Sequence, residues 1–386
     1  MNWVAIRMLV GDRLKYLALI VGIAFAALMV TQQAAIFTGY ARQIGAWLRD
    51  TAQADLWVVD GQVRHSEDLK RLSDTTLQRV RGLDGVAWAV PMYKGWLPVR
   101  LDDGTLLNVR FVGIDDASMI GTPPGMPHET AMLLRQDRAL LIDESEASTR
   151  LRRLRTPGEP GLRVGDRLSV NDNDAMVAGT YRRSPDFFWE PVAYTLYSRA
   201  ITWAPRERRQ LTYVLVKLQE GADPAAVARQ ITAATGHRAL TGPQFIRQST
   251  LWILRETGIL INFGITILLG FLIGVLVCGL LLYLFIVENT RYFAALKAMG
   301  ATNRRVIGMV ALQIAVAGLL GYGIGLGGTA VVGTLIQGGV IGGLAYALVW
   351  QIPVLGAVAV ITCCMVAGLI SISRVLGLEP ATVFKA

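Results

Sequence analysis

The sequence contains few charged residues, few histidines and few cysteines. Charged residues make up 17% of the 386 positions, and the chain has three Cys and three His. All three cysteines lie in apolar segments, so no disulfide framework is expected to support an extramembrane domain. The histidines, His65, His128 and His237, are scattered, and neither an HExxH pattern nor a GxxxxGK[ST] phosphate loop occurs. The sequence therefore predicts no catalytic residue, no metal site and no bound cofactor, and any ATP hydrolysis is expected on another chain.

Apolar residues, by contrast, are abundant and occur in long runs. They make up 53% of the chain, and the mean hydropathy is +0.42, which is too apolar for an ordinary soluble protein. About 20 apolar residues cross the hydrocarbon layer as a helix, so the runs predict an α-helical membrane protein with four transmembrane helices. The predicted segments are helix 1 with a stalk at 17–50, a second stalk with helix 2 at 242–287, helix 3 at 306–332, an outer loop at 333–350 and helix 4 at 351–373.

A cleaved signal peptide is the alternative interpretation of the first apolar run. It is disfavoured because the run is longer than the apolar region of such peptides. Helical spacing of apolar residues also continues beyond the first run and precedes the second, which predicts two stalk helices that pack together. The residues concerned are Phe37, Tyr40, Ile44 and Trp47, and Phe245, Ile246, Trp252 and Ile253. Trp252 and Trp350 are expected at the outer membrane interface, where indoles are enriched.

Residues 51–241 predict a large α/β (α+β) domain outside the membrane. The dipeptide Asp103-Gly104 has the turn chemistry of a β-hairpin, and Asp223 followed by Pro224 predicts a helix start with a capping carboxylate and proline in the first turn. Strand patterns occur at residues 54–60, 86–101, 105–112, 138–143, 165–170 and 213–218, and Asp74–Arg81 predicts a short helix that ends at Gly82.

A charged segment, residues 288–305, separates the second and third apolar runs. Tyr292, Leu296 and Met299 recur at helical spacing and predict a short helix with one apolar face. Gly300 is expected to end this helix, and the Thr302 hydroxyl is expected to cap the next one. Such a helix cannot bury its apolar face alone, so the segment predicts a partner surface.

Four sets of short motifs occur along the chain: Leu83–Val86 with Pro91–Tyr93, Lys217–Pro224, Glu288 and Arg291 with Leu296–Ala301, and Leu378–Ala381. Taken in order, these motifs resemble those of FtsX-like, MacB-like (type VII) ABC transporter permeases, the group that contains MacB, LolC and LolE. Within the group, the DevC-type permease subunit is the closest by resemblance. The matching stretches cover nearly the whole chain.

The resemblance implies a role for the segment 288–305 and a division of the extramembrane domain. In the family this loop docks on a cytoplasmic ABC ATPase, which binds ATP and Mg²⁺. The extramembrane domain is expected to have a porter-like part with an insertion at about 115–204. Residues expected at the ATPase-coupling interface are Glu288, Arg291, Tyr292, Leu296, Lys297, Met299, Gly300, Arg304 and Arg305.

Basic residues predict the orientation in the membrane. The segments 1–16, 288–305 and 374–386 are each net positive, which places them in the cytoplasm and the large domain outside. By resemblance, the membrane is the bacterial inner membrane and the domain is periplasmic. The formal charge of +9 does not indicate a nucleic-acid partner, because no aromatic and basic binding motif accompanies it.

The predicted membrane helices contain no Asp, Glu, Lys, Arg or His, the residues that usually mark polar pathways. The absence of such residues favours a force transmitter. Together with the family resemblance, it leads us to expect a permease subunit of an ABC exporter that acts as a homodimer and transmits force to the periplasm. The DevC resemblance adds a membrane-fusion adaptor and an outer-membrane channel in tripartite efflux. Alternatives are lipoprotein release, as by LolC and LolE, and FtsX-like signalling to cell-wall hydrolases. A basic cluster comprises Arg150, Arg152, Arg153 and Arg155. It is either part of a solvated loop or a contact for an adaptor or an anionic partner.

Overall fold

The computed structural model describes residues 7, 13–51, 53–151, 161–188, 190–209, 211–338 and 344–376. The chain forms two compact units. The membrane unit combines residues up to Ala41 with those from Gly258 onward, and the extramembrane domain is Arg42–Thr257. The motif at 378–381 lies outside the described residues.

The first membrane helix, α1, spans Arg13–Gln43 and is followed by the short helix α2, Ala46–Asp50. The sequence predicts one continuous helix through Trp47, whereas the structure breaks it at Gly45. Gly45 adopts the left-handed conformation, with φ at 79°, which only glycine adopts readily. A Cβ at this position would also lie 3.1 Å from the Ile246 side chain, so the break allows α2 to approach the second stalk segment.

The extramembrane domain alternates strands and helices between α2 and the second stalk helix, α8. Its elements are β1 (Leu56–Val59), α3 (Asp74–Arg81), β2 (Val86–Arg100), β3 (Leu106–Ile114), α4 (His128–Met132), β4 (Ala139–Asp143), α5 (Glu144–Ser148), β5 (Arg167–Val170), β6 (Asn173–Tyr181), β7 (Val192–Leu196), α6 (Tyr197–Trp203), β8 (Tyr213–Leu218), α7 (Pro224–Thr235), β9 (Arg238–Thr241) and α8 (Gly242–Glu256).

A four-stranded antiparallel sheet, in the order β2-β8-β1-β9, forms the first part of this domain. Helices α3 and α7 pack on it around Val58, Val80 and Ile231, which are all buried. Both helices begin as their sequences predict. Asp223 accepts from two backbone N–H groups at the start of α7, and Pro224 is in its first turn. A side-chain cap stabilises a helix start by satisfying N–H groups that have no partner within the helix.

The second part is a closed β-barrel. The long strand β2 leaves the first sheet after Met92 and continues from Tyr93 as a partner of β3 and β5, and the ring closes through β7, β4 and β6. The predicted insertion at 115–204 contributes β4 to β7, but the β2–β3 hairpin, which precedes Asp115, completes the ring. Closure pairs strand edges that the insertion alone would leave open.

An aromatic core joins α2 and α8 to the first sheet. The Trp57 ring lies 5.3 Å from Trp47, 5.6 Å from Tyr213 and 6.2 Å from Phe245, between ring centroids. The same buried cluster includes Tyr194 and other residues of the barrel. The two predicted stalk segments therefore share a core with both parts of the domain.

The membrane unit continues with α9 (Ile259–Glu288), α10 (Thr290–Ala298), α11 (Asn303–Gln337) and α12 (Gln351–Leu376). In the described part of the chain, four helices, α1, α9, α11 and α12, are long and apolar enough to cross a membrane. Small residues allow close packing: a Cβ at Gly325 of α11 would lie 2.5 Å from the Ala24 carbonyl oxygen of α1. The hydroxyls of Thr31 and Thr329 form a buried hydrogen bond of 2.6 Å between the same helices.

Candidate functional site

The loop between α9 and α11 contains the short helix α10, as the sequence predicts. Gly300 ends it in the left-handed conformation, with φ at 91°. Thr302 occupies the cap position of α11, but the prediction for its hydroxyl is wrong, because the side chain forms no capping hydrogen bond. The backbone carbonyl of Thr302 instead accepts from the Arg305 N–H at 2.9 Å.

Among the side chains of this loop that the structure describes, two large apolar ones are exposed. Tyr292 is 64% exposed and Met299 is 76% exposed, whereas Leu296 is half-buried. The loop packs on the membrane unit through Ala294, which is buried, and Ala301. The predicted apolar face is therefore divided, because small alanines make the intramolecular contact and leave the two larger side chains free to meet a partner.

Basic residues flank the exposed apolar pair. Arg291, Arg304 and Arg305 are exposed, as is Gly300, and Lys297 is half-buried. Glu288, the acidic residue predicted at this surface, forms a salt bridge with Lys15 at the start of α1. Local sequence patterns do not connect these two residues, because they lie 273 positions apart. We define the coupling surface as Arg291, Tyr292, Met299, Gly300, Arg304 and Arg305.

The second predicted set of site residues lies in the extramembrane domain. Arg150 is partly exposed, and its guanidinium lies 3.5 Å from the carboxylate of Glu146, one helical turn earlier. Arg152, Arg153 and Arg155 lie outside the described residues. Within the part of the chain that the structure describes, no group of three His, Cys, Asp or Glu side chains could hold a metal ion.

A buried charge cluster in the extramembrane domain was not recognised in the sequence. Lys94 and Arg110 are fully buried, and both contact Glu67, while Arg110 also pairs with Asp186. The Lys94 ammonium lies 3.5 Å from the ring centroid of Trp47 in α2, a cation–π distance. Burial, only partly offset by Glu67, lowers the pKa of Lys94 to about 8.

The only sequence signal for this cluster was a lysine and an arginine within otherwise apolar strands. Their partners come from loops distant in sequence, so pairing could not be read from spacing. The cluster connects the β1–α3 loop, the β2–β3 hairpin and the loop before β7.

The fold and the loop surface together define a class: a multi-pass membrane protein with a large α/β domain between its first and second membrane helices. Residues 16–234 match the family model of the MacB-like periplasmic core domain, and residues 264–380 match that of the FtsX-like permease C-terminal region. The chain belongs to the MacB-like, FtsX-like permeases, which are membrane subunits of ABC-type transporters. The family resemblance is thereby confirmed, and closeness to the DevC type stays a prediction.

Two solved structures are similar to about half of this chain. The extracellular domain of the noncanonic ABC-type transporter YknZ from Gram-positive bacteria is 14% identical, covers 49% of this chain and 98% of its own, and gives a TM-score of 0.33. The periplasmic region of MacB from Actinobacillus actinomycetemcomitans is 11% identical, covers 52% of this chain and 94% of its own, and gives a TM-score of 0.35. A search of curated proteins finds no significant match.

Proposed function

We propose that this chain is the membrane subunit of an ABC exporter that couples ATP hydrolysis on a separate ATPase to a conformational change in its extramembrane domain. The observation that carries the proposal is the exposure of Tyr292 and Met299 on a short helix between two membrane helices. Large apolar side chains exposed next to arginines are typical of protein interfaces. The ATPase would bind ATP and Mg²⁺, and this chain would bind no cofactor.

Force transmission fits the chemistry of the membrane helices. Their charge-free cores offer no ionisable path for a polar solute, and their close contacts at glycines suit rigid packing. Helix α10 is joined to α9 through Asn289 alone, so displacement of the coupling surface acts directly on α9. At its other end, α9 continues through Gly258 and Thr257 into α8 and hence into the extramembrane domain. Substrate would then be handled by that domain outside the membrane.

The proposed orientation places the coupling surface and both termini in the cytoplasm and the large domain in the periplasm, across a bacterial inner membrane. The net positive charge of residues 288–305 supports it, because basic loops stay cytoplasmic. We further propose a homodimer that works with a periplasmic membrane-fusion adaptor and an outer-membrane channel. The cluster at residues 150–155 is the proposed adaptor contact.

Docking is tested by replacing Tyr292 and Met299 with Asp and measuring how much ATPase co-purifies with the tagged chain. Loss of central apolar contacts costs about 2 kcal/mol or more at interfaces, so binding should weaken by about 30-fold or more. Leu106→Asp is the matched control, because Leu106 is 65% exposed but lies in the extramembrane domain. Equal ATPase recovery from both variants would contradict the docking proposal.

The class of transporter is tested by mass spectrometry of proteins that co-purify from native membranes. An ATPase together with a fusion adaptor supports tripartite efflux. An ATPase with a cell-wall hydrolase would instead assign the chain to signalling, and an ATPase with a second, different permease and lipoproteins would assign it to lipoprotein release. Recovery of no ATPase would contradict the proposal as a whole.

A further inference from the structure

A polar cavity of about 660 Å³ opens in the extramembrane domain between helix α8 and the β1–α3 loop, residues 60–73. Its volume falls within the range of roughly 300–1,000 Å³ that small-molecule sites occupy. The residues that line it are Gln62, Arg64, His65, Asp68, Lys70 and Trp252.

Helix α8 holds this loop in place from one side. The Gln248 side-chain amide donates to the carbonyl oxygens of Val63 at 2.9 Å and of Arg64 at 3.1 Å. The Ser66 N–H donates to the Ser249 hydroxyl at 3.0 Å. The backbone of the cavity wall is therefore bonded to a helix along several residues.

Buried residues of the extramembrane domain also form hydrogen bonds with this loop. The Ser66 carbonyl accepts from the Tyr213 hydroxyl at 2.8 Å and from the Lys94 ammonium at 3.2 Å. Both donors are fully buried, so they cannot exchange these bonds for bonds to water at the surface. A wall fixed in this way is preorganised, and preorganisation lowers the entropy cost of binding a ligand.

Positive charge exceeds negative charge at the cavity. Arg64 and Lys70 are exposed, and among the described residues no carboxylate forms a salt bridge with the Arg64 guanidinium. Asp68 is the one acidic lining residue. Its carboxylate accepts from the Arg64 backbone N–H at 3.1 Å and lies 3.8 Å from the Lys70 ammonium. The lining residues therefore carry one positive charge in excess, and the single carboxylate already contacts Arg64 and Lys70.

Aromatic rings form another side of the cavity. The His65 ring is stacked on the indole of Trp252, with centroids 4.3 Å apart. Burial is the main cause that lowers the pKa of His65 below its usual value, which favours the neutral form of the imidazole. Its Nδ1 accepts from the Glu67 N–H at 3.2 Å, which leaves the proton on Nε2 as a hydrogen-bond donor. The cavity therefore combines cations, a neutral donor and a flat apolar wall.

We propose that this cavity binds a small ligand that carries a phosphate or carboxylate group on an apolar, preferably aromatic, body. Arg64 and Lys70 would bind the anionic group through charge-assisted hydrogen bonds, which are stronger than neutral ones. Trp252 would contact the apolar body. The site is separate from the coupling surface, so it does not depend on the proposed function.

The test is isothermal titration calorimetry on the detergent-purified full chain, without any ATPase. The probes are phenyl phosphate, inorganic phosphate and the neutral phenyl β-glucoside. Phenyl phosphate should bind at one saturable site, at least about tenfold more tightly than either other probe, because each of these lacks one of the two contacts. The double variant Arg64→Gln/Lys70→Gln should weaken phenyl phosphate binding by about tenfold or more. Trp252→Leu should weaken phenyl phosphate but leave inorganic phosphate unchanged.

The matched control is Arg79→Gln/Arg229→Gln, which removes two exposed cations from α3 and α7 of the same domain and should leave binding unchanged. All substituted cations are exposed, so the variants should fold, and circular dichroism checks this. Absence of saturable binding, equal binding of inorganic phosphate and phenyl phosphate, or unchanged binding in the Arg64→Gln/Lys70→Gln variant would each overturn the proposal. Because no ATPase is present, these results are distinguishable from failure of the docking experiment.

Discussion

Replacing Lys94 measures how strongly the buried charges of the extramembrane domain depend on one another. The Lys94→Met substitution keeps the length of the side chain and removes its ammonium. Glu67, which is only 5% exposed, then retains Arg110, whose Nε lies 3.5 Å from the Glu67 Oε2 atom. Because Arg110 still compensates Glu67, the loss should be smaller than the roughly 3–5 kcal/mol that is typical of a buried charge left without any partner. We expect the free energy of unfolding at pH 7 to fall by about 1–3 kcal/mol, because Glu67 and the Ser66 carbonyl lose the hydrogen bonds that Lys94 donates to them.

The companion variant replaces both partners. In Lys94→Met/Glu67→Gln no uncompensated carboxylate remains at this position, and exchange of a buried pair for neutral groups is often nearly neutral. The double variant should therefore lose less stability than the sum of the two single variants, by about 2 kcal/mol or more. A surface pair provides the control: Arg138→Gln breaks a 2.8 Å contact with Asp174 between two exposed side chains and should cost about 1 kcal/mol or less.

The pH dependence follows from the pKa of Lys94. Its folded-state value of about 8 lies below the ordinary 10.5, so the folded protein disfavours the ammonium form. Below pH 8 Lys94 is protonated in both the folded and the unfolded chain, and the cost of burying its ammonium, about 3 kcal/mol, lowers the stability in full. Between pH 8 and 10.5 the unfolded chain binds more protons, so stability rises with pH. The Lys94→Met variant should lack this rise.

The assay is urea unfolding of the detergent-solubilised chain at pH 7, 8, 9 and 10, followed by tryptophan fluorescence. Trp47 reports locally, because the Lys94 ammonium lies on its ring. If two variants differ in the urea concentration at the unfolding midpoint but show the same dependence of the unfolding free energy on urea, they differ in stability alone. The reasoning would be refuted if Lys94→Met cost less than about 1 kcal/mol, if the effects of the two single substitutions were additive in the double variant, or if the Lys94→Met variant kept the same pH dependence.

Three further predictions concern helix packing, capping and backbone conformation. Gly325→Leu should prevent close packing of α1 and α11, because the new Cβ would lie 2.5 Å from the Ala24 carbonyl oxygen. The yield of monodisperse protein in size-exclusion chromatography should therefore fall. Gly323→Leu is the control and should be tolerated, because no atom lies within 4 Å of its Cβ. Asp223→Ala removes two capping bonds of α7 and should lower the free energy of unfolding by about 1 kcal/mol. Gly258 has φ at 70°, a conformation that is strained for a β-branched residue. Gly258→Val should therefore destabilise the chain by about 1–3 kcal/mol in thermal unfolding. Gly258→Asn should have a smaller effect, because Asn tolerates this conformation.

Much of the fold could be predicted from local sequence patterns. The helix at Asp74–Arg81, the turn at Asp103-Gly104 and the cap at Asp223 follow from neighbouring residues, and the structure has each of them. The strands β6, β7 and β9 were missed. Strand β6 was missed although it has nine residues, whereas β7 and β9 have five and four residues and pair with strands distant in sequence. Closure of the barrel was missed for the same reason, since strand pairing between β3 and β7 joins residues about 80 positions apart.

The candidate site was only partly predictable. Helical spacing identified Tyr292 and Met299 as members of one apolar face, but it could not show that Ala294 makes the intramolecular contact and leaves them exposed. Pairing of Glu288 with Lys15 likewise depends on how α1 and α9 pack. In the lining of the polar cavity, Trp252 lies against His65. Sequence patterns instead predict Trp252 at the outer membrane interface and give no role to His65.

The sequence by itself determined the four apolar runs, the charged loop between the second and third of them and the family to which the chain belongs. These properties follow from composition and short-range order, because burial in lipid and helix formation depend on residues within about 20 positions of one another. The tertiary structure alone decided which charges are buried together, which apolar side chains remain exposed and where a cavity opens. Those outcomes depend on contacts between residues distant in sequence, and such contacts exist only after the helices and strands have packed.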